Sequence, residues 1–464
     1  MRIVTSLAVF LYGVAAALAT PSLAQDAPYQ RAARNILERL VSFRSSEGHG
    51  PQIIATADYI VGEAHTAGVA DADIARIPVG ETQAVLVRVV GSDPTLAPVL
   101  FSAHFDVVDA RPEDWEADPY VLSEQGGFFI GRGAADNKAG VAALLSTIHR
   151  MRADGYRPQR TLVFVFIGDE ETAQATTRAV VQHPWVAGAA FAINTDAGGG
   201  MLTAEGQPLI YFTQGAEKTY ASFRLTVRNP GGHSSVPRAD NAIYDLSRAL
   251  LRIEEHRFPV MASALTRSYF AAVGQVETGP IAESLRAFAA DPGDAAALAA
   301  IRADPEYANK LATTCVATML NAGHAENALP QRAEATVNCR IFPGTAVADV
   351  QAQLAQVIGN SALTIEVMDA PQESPVSELT DEVARAITAS VHARTPGVPV
   401  APTLMAGATD GLVYRSSGIP TYGTSGMFEV PGEGHEHGLN ERVRIASFYA
   451  GIEHIHDLAL AFGR

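Results

Sequence analysis

The stretch FVFIGDEET, Phe164 to Thr172, decides the fold. It closes an apolar run, Thr161 to Ile167, with Gly168 and three consecutive acids, Asp169, Glu170 and Glu171. A run so short and so apolar reads as a strand buried on both faces of a sheet. In an open α/β sheet, reactive groups collect at the carboxyl ends of such strands. Three adjacent acids repel one another unless a cation compensates them. Beyond shaping the turn, Asp169 has no assignable role at this level.

Working outward, Pro98 to Ala103 and Ala84 to Val90 read as strands on the N-terminal side, and Ala189 to Ile193 as a third buried strand on the other. Helical periodicity covers Ala33 to Phe43, Pro51 to Gly68, Ala139 to Arg152 and a stretch around Thr176 to Gln182. Strands alternating with helices predict an α/β fold with a mainly parallel sheet covered on both faces. From about Lys218 the pattern changes. Phe223, Leu225 and Val227 alternate with Ser222, Arg224, Thr226 and Arg228, which predicts a strand with one wet face. A helix over Asn241 to His256 follows, then strands Cys315 to Leu320 and Ala333 to Ile341, a helix Val347 to Ile358 and a strand Leu363 to Met368. That order is the ferredoxin-like α+β arrangement. An Ala-rich, helical insertion interrupts it over 258–312. After Pro371 the chain reverts to a helix, Asp381 to His392, short buried strands and a terminal helix from Val443. The expected organisation is one domain made of 25–217 and 371–464, with 218–370 inserted into it.

A length of 464 residues suits two domains. The formal charge of −16 argues against nucleic acid or anionic membrane as a partner. Residues 1–24 read as a secretory signal: Arg2, an apolar run Leu7 to Leu18, and small residues Ser22 and Ala24 at a cleavage site. The run is short for an anchoring helix, and Pro21 follows it. The expected location is therefore periplasmic or secreted, with no membrane association after cleavage. Export permits a disulfide between Cys315 and Cys339, which fall on consecutive strands spaced evenly about Asn327. Two small buried apolar residues is the alternative reading.

Other strand ends carry chemistry as well. Pro98 to Ala103 runs into His104-Phe105-Asp106, where residues two apart share a face. GRGAADNKAG, Gly131 to Gly140, brings Asp136 to a helix start. Ala189 to Ile193 runs into Asn194-Thr195-Asp196, and GHEHGLNER gathers His435, Glu436, His437 and Glu441 late in the chain. Each has a bland explanation alone: a satisfied histidine, an N-cap acid, a solvated loop. Together they deliver His, Asp or Glu to one sheet edge from four consecutive elements. Two histidines with three or more carboxylates are too few nitrogens for two tetrahedral structural zincs. They suit a paired, open, hydrolytic site with one bridging carboxylate.

The ordered motifs HFDVV, GRGAADNK, GDEE, NTDAG, GGHSS, ENALP and HGLNE resemble metallopeptidase family 20, from about Ala33 to the C-terminus. That family holds aminoacylase, glutamate carboxypeptidase, dipeptidases, carboxypeptidase S and desuccinylases. The resemblance implies two Zn2+ ions, with Co2+ or Mn2+ as substitutes. His104 and Asp196 would bind one, Glu171 and His437 the other, and Asp136 would bridge them. Glu170 would be the general base, Asp106 would support the site, and the peptide after Asp136 would be cis. His437 is preferred to His435 because Asn440 and Glu441 then fall at the family spacing. His233 would stabilise the oxyanion, supplied by a partner subunit's lid or by closure in a monomer. Arg340 and Asn327 would grip a substrate carboxylate, Arg by its two-pronged fork. Gly407, in GATDG, would line the substrate site. The sequence departs from the family at Ala103 and Asp109, where Gly and Pro are usual, so a local loop change is expected. The long insertion and the Trp115 loop are similar to the carboxypeptidase S-like branch.

The expected activity is cleavage of an amide bond in a peptide or N-acyl amino acid with a free carboxylate, as a carboxypeptidase or dipeptidase. An aminoacylase is the alternative, and a non-catalytic, metal-stabilised binding protein a distant one that the presence of Glu170 opposes. A homodimer joined through the lid is the expected assembly. Whether the insertion covers the pocket or enlarges a dimer interface is open at this level.

Overall fold

The computed structural model describes residues 28–464, so the expected signal over 1–24 lies outside the described residues. The strand Leu162–Ile167 is buried at every position. Its side chains alternate between two apolar layers. Leu162, Phe164 and Phe166 join the core under the helices Pro28–Val41, Gly50–Thr66, Lys138–Ala153 and Ile445–Phe462. Val163, Val165 and Ile167 join the opposite layer, with Leu412, Val413 and Tyr414. Each such side chain contributes roughly 1.5–3 kcal/mol by leaving water, so this strand is the seam between the two layers.

The central sheet runs Ile74–Val79, Thr82–Val89, Leu162–Ile167, Val99–His104, Phe191–Asn194, Thr421–Gly423, Pro208–Glu217, Gly199–Leu202, Phe428–Glu429, with Val400–Met405 paired beside Pro208–Glu217. Its middle is parallel: Val99–His104 pairs in parallel with both neighbours, and Phe191–Asn194 with Thr421–Gly423. Antiparallel pairs flank it on either side. Register decides function here. His104 lies beside Ile167, and Ser102 lies beside both Val165 and Asn194. Three strands therefore stop together and release 104–106, 168–171 and 194–196 at one edge.

The inserted unit is a four-stranded antiparallel sheet in the order Thr314–Ala322, Arg332–Ile341, Thr219–Arg228, Leu363–Met368. The helices Ala242–Glu255 and Val347–Ile358 cover one face through Leu246, Ile253, Val350 and Leu354. Its other face is drier than the alternation predicts: Ser222 and Thr226 are each only 7% exposed. Thr219–Arg228 is an inner strand, and its polar side chains are roofed by Asn338 and Glu334 of the next one. Cys315 and Cys339 lie opposite each other on paired strands and are disulfide-bonded.

The Ala-rich insertion forms the helices Ala264–Val276, Gly279–Ala290 and Ala295–Ala303. Its apolar residues Phe270, Leu285, Phe288 and Ile301 pack with Ile210 and Ala401 of the central sheet. The segment leaves the smaller sheet and leans on the larger one. Among the described residues, no helix is long and apolar enough to cross a membrane.

Candidate metal centre

The strand ends and two loops converge as follows. His104 Nε2 lies 2.9 Å from Asp136 Oδ1 and 3.3 Å from Asp196 Oδ1. His437 Nε2 lies 3.0 Å from Asp136 Oδ2 and 3.1 Å from Glu171. Asp136 thus gives one oxygen to each imidazole, and the five groups divide into two sets of three that share it. His104, Glu170 and Asp196 also offer ligand atoms within 4.8 Å of one another. The peptide between Asp136 and Asn137 is cis. His435 turns away, its Nδ1 3.1 Å from the Leu439 carbonyl oxygen.

Electrostatics describe the same arrangement. Burial opposes a charge on His104, but Asp196, Asp106 and Asp136 outweigh it and raise its pKa well above the usual range. Hydrogen bonds to Asp136 and Glu171 push His437 up to about 10. Burial, with the charge of Asp196 behind it, raises Glu170 well above an ordinary carboxyl, and burial holds Asp196 at about 6. The acids draw protons onto both imidazoles, and Glu170 and Asp196 hold theirs more tightly than free carboxyls do. A divalent cation held by the same groups would displace those protons, which is how carboxylate–imidazole sites couple metal to pH. By donor type, number and sharing, the residues present fit a pair of metal ions.

The supports around these groups are only partly legible in the sequence. Asp106 accepts backbone N–H bonds from Glu170 (3.1 Å) and Glu171 (3.0 Å), and its Oδ1 lies 3.5 Å from His104 Nδ1. One carboxylate thereby fixes a strand end against the acid turn. Asp169 is no mere turn former: it is buried and accepts from the backbone N–H groups of Ala175 (2.7 Å) and Thr176 (3.1 Å), seating the first turn of the helix Ala175–Val180. Glu441 has no role that its sequence context announces. It is fully buried, pairs with Arg132 at 2.6 Å, and accepts from the N–H groups of Gly133 (3.0 Å), Ala135 (2.9 Å) and Asp136 (2.9 Å). It ties the His437 loop to the loop that presents the shared acid. The Trp115 ring lies under the Arg132 guanidinium, 5.2 Å from its centroid.

Asp196 has its own line of support. Its N–H donates to Asn194 Oδ1 (3.1 Å), Asn194 Nδ2 donates to Thr409 Oγ1 (3.1 Å), and Thr409 donates to Glu217 (2.6 Å), which pairs with Arg415 at 2.8 Å. Thr409 of GATDG therefore faces inward as a brace, whereas Gly407 is exposed. At the departure Asp109, the carboxylate takes two 2.7 Å bonds from Arg44, which anchor the loop to the segment after the first helix.

Three expected residues stand apart from this cluster. His233 is exposed on the short ribbon Gly232–His233, its Nδ1 bonded to Ser235, and Asn327 is exposed beside it, its carbonyl accepting from Ser234 N–H at 3.0 Å. Arg340 donates to the Ala406 carbonyl at 2.7 Å and lies over the Tyr220 ring, at the seam between the two sheets and next to Gly407. Among the described residues, no hydrogen bond or ion pair joins His233, Asn327 or Arg340 to the metal cluster.

Comparison with known proteins adds the following. The profile described as Peptidase family M20/M25/M40 matches residues 100–461. The N-fatty-acyl-amino acid synthase/hydrolase PM20D1 of Mus musculus is 28% identical over 390 residues, covering 80% of this chain and 75% of that protein. A probable carboxypeptidase S-like 2 of Dictyostelium discoideum is 28% identical over 341 residues, covering 70% of this chain and 63% of that protein. The crystal structure of an M20 family metallo-carboxypeptidase, Sso-CP2 from Sulfolobus solfataricus, superposes with a TM-score of 0.66 at 17% identity, covering 93% of this chain and 99% of the other. That last likeness speaks for the fold.

Proposed function

The chain belongs to Peptidase family M20/M25/M40, and on that premise we propose an exported di-zinc hydrolase that cleaves an amide bond in a peptide or N-acyl amino acid bearing a free carboxylate. The observation that carries the reading is the pair of three-residue ligand sets sharing Asp136, with Glu170 alongside.

His104 and Asp196 would hold one ion, Glu171 and His437 the other, with Asp136 common to both. Bound there, zinc supplies Lewis acidity that makes water nucleophilic near neutral pH. Glu170 performs the proton transfers. Its carboxylate is restrained by Gln174 Nε2 at 3.2 Å and its backbone by Asp106. A carboxylate so held takes a proton from the attacking water and returns it to the departing amine. Asp106 and Glu441 hold the groups in place.

Arg340 would pair with the substrate carboxylate, with Gly407 beside it. His233 and Asn327 are exposed on the lid ribbon, which agrees with a role fulfilled on closure or on a second copy. The edge strand Thr314–Ala322 exposes Val316, Met319 and Leu320 at 60–69%. An apolar unpaired edge favours pairing with another chain, so we assign the homodimer contact to it. Export is supported by the Arg2 to Ala24 pattern and by the Cys315–Cys339 disulfide, which persists in oxidising compartments.

A second reading is hydrolysis of N-acyl amino acids, which the activity named for the Mus musculus relative favours. Purified protein should hydrolyse dipeptides or N-acyl amino acids in a chelator-sensitive manner. Glu170→Ala should lose that turnover while two metal equivalents per chain remain by elemental analysis. Undiminished turnover in Glu170→Ala would remove the mechanism.

A further inference from the structure

Left-handed backbone marks the places where this chain accepts a local cost. Among the described residues, five that are not glycine adopt it: Gln174, Asp369, His435, His437 and Asn440. His435, His437 and Asn440 belong to the loop that carries a proposed metal ligand. Asp369 follows the strand Leu363–Met368, where the chain returns to the larger unit. Asp, Asn and His are the non-glycine side chains that tolerate this conformation best, so only Gln174, with a φ of +50° and a ψ of 30°, calls for a separate account.

The position disfavours glutamine twice. Gln174 immediately precedes the helix Ala175–Val180, where Ser, Thr, Asp or Asn is preferred because a short side chain caps the first N–H groups. The Gln174 side chain makes no such bond, and Asp169 supplies the cap instead. Backbone bonds pin the residue: its N–H donates to the Asp169 carbonyl at 2.8 Å, and its carbonyl accepts from the Arg178 N–H at 3.1 Å. The side chain is thereby free for another contact, and its Nε2 donates to Glu170 Oε1 at 3.2 Å. Among the described residues, this is the one hydrogen bond made to that carboxylate. Asn, one carbon shorter, falls short of it, and Gly has no side chain to make it. A residue kept in a costly conformation for a contact that the favoured residues cannot make points to function. Gln174 also lines a cavity of about 210 Å3, with Arg178 and Leu412 on its own side and Tyr220, Ser222 and Asp369 opposite. Tyr220 and Ser222 open the inserted unit and Asp369 closes it, so the cavity lies at the hinge between the two units. Gln174 is common to the hinge wall and the Glu170 carboxylate.

We propose that Gln174 is a positioning residue that sets the Glu170 carboxylate from the wall of the hinge cavity, so that a change in hinge packing reaches the base through one amide. That Glu170 is a base rests on the hydrolase reading. That Gln174 places its carboxylate rests on the geometry. The chain then trades stability for order at this point: glycine would suit the backbone better, and only a long amide fixes the acid.

The test uses Gln174→Gly, which removes the amide and relieves the backbone, and Gln174→Ala, which removes the amide and keeps the Cβ. Melting temperature is measured for each, and kcat and KM with glycylleucine and N-acetylleucine as substrates. Gln174→Gly should melt about 1–4 °C higher than wild type, and Gln174→Ala should melt close to it. Both should lower kcat about ten- to a hundredfold with little change in KM. A purely structural role would lower stability and kcat together. Ser222→Leu, or Ser222→Val if that protein does not fold, crowds the hinge cavity. It should lower kcat about two- to tenfold in the wild type and not further in Gln174→Gly. In crystals of zinc-loaded protein, the Glu170 carboxylate should occupy one position in the wild type and more than one in Gln174→Gly. A kcat of Gln174→Gly within twofold of wild type would overturn the proposal, as would a loss carried by KM. Additive losses in Ser222→Leu/Gln174→Gly, or none in Ser222→Leu, would overturn the link to the hinge. If the wild type hydrolyses neither substrate in a chelator-sensitive manner, the hydrolase reading fails and the crystals still decide: one ordered Glu170 position in both proteins would overturn the placement by Gln174.

Discussion

Replacing Glu441 by Gln keeps the side chain's shape and removes one charge. The wild-type carboxylate accepts from Arg132 and from three backbone N–H groups, and both members of the ion pair are at most 3% exposed. The Gln oxygen can still accept from Ala135 and Asp136. Its NH2 must then face the Gly133 N–H and the Arg132 guanidinium, donor against donor. Breaking one side of a buried pair costs about 3–5 kcal/mol, so metal-stripped Glu441→Gln should lose roughly that much stability in urea unfolding. The Asp136 N–H keeps its acceptor, but the Gly133 N–H and Arg132 lose theirs, which loosens the loop that presents the Asp136 carboxylate. Removing such an outer partner lowers metal affinity about 10–100-fold. The two effects separate in the double variant Arg132→Met/Glu441→Gln, where no cation is left unpaired. Stability should largely return while zinc affinity, measured by competition with a chromophoric chelator, stays weak. Zinc affinity of Glu441→Gln within twofold of wild type would refute the bracing role. So would a double variant that recovers affinity together with stability.

His437→Ala should lower zinc content toward one equivalent, whereas His435→Ala should leave two. The opposite pattern would show that the loop register is misassigned. His454 supplies a pH test. Its ring is fully buried between Thr424 and Ser390, and burial lowers its pKa from 6.5 to about 3. Above pH 6.5 both folded and unfolded chains carry it neutral, so it adds no slope. Below 6.5 the unfolded chain takes a proton that the folded chain refuses. Stability then falls by about 1.4 kcal/mol per pH unit, or about 2 kcal/mol by pH 5. His454→Gln should flatten that part of the profile relative to wild type, and parallel profiles between pH 5 and 6.5 would contradict the assignment.

The parts of this molecule that are legible in the sequence are those whose information is local. An apolar run ending in acids announces both a buried strand and its reactive end, so His104, Asp136, Glu170, Glu171 and Asp196 stand out together. Three strands of the central sheet do not announce themselves. Ile74–Val79 carries Pro78, which an edge strand tolerates and a sequence reading penalises. Gly199–Leu202 and Pro208–Glu217 begin with glycine or proline, and Pro208–Glu217 pairs with Val400–Met405, far along the chain. The braces are hidden for a related reason. Glu441 and Glu217 are acids whose partners, at 132–136 and at 409 and 415, come close only in the folded chain. Asp169 caps a helix that starts six residues later, outside the spacing a local cap motif searches.

The order in which the proposed metal ligands follow one another along the chain gives the shared carboxylate a further meaning. His104, Asp136, Glu171 and Asp196 all precede residue 200, while His437 and Glu441 follow more than two hundred residues later. A chain cut short of 434 lacks, in one stroke, the second imidazole and the anchor of the acid that serves both ions. Its remaining four groups are present, but the shared one is unheld. Under the proposed assignment, tight metal retention would therefore report that the segment 434–441 has been made and has docked against 132–136.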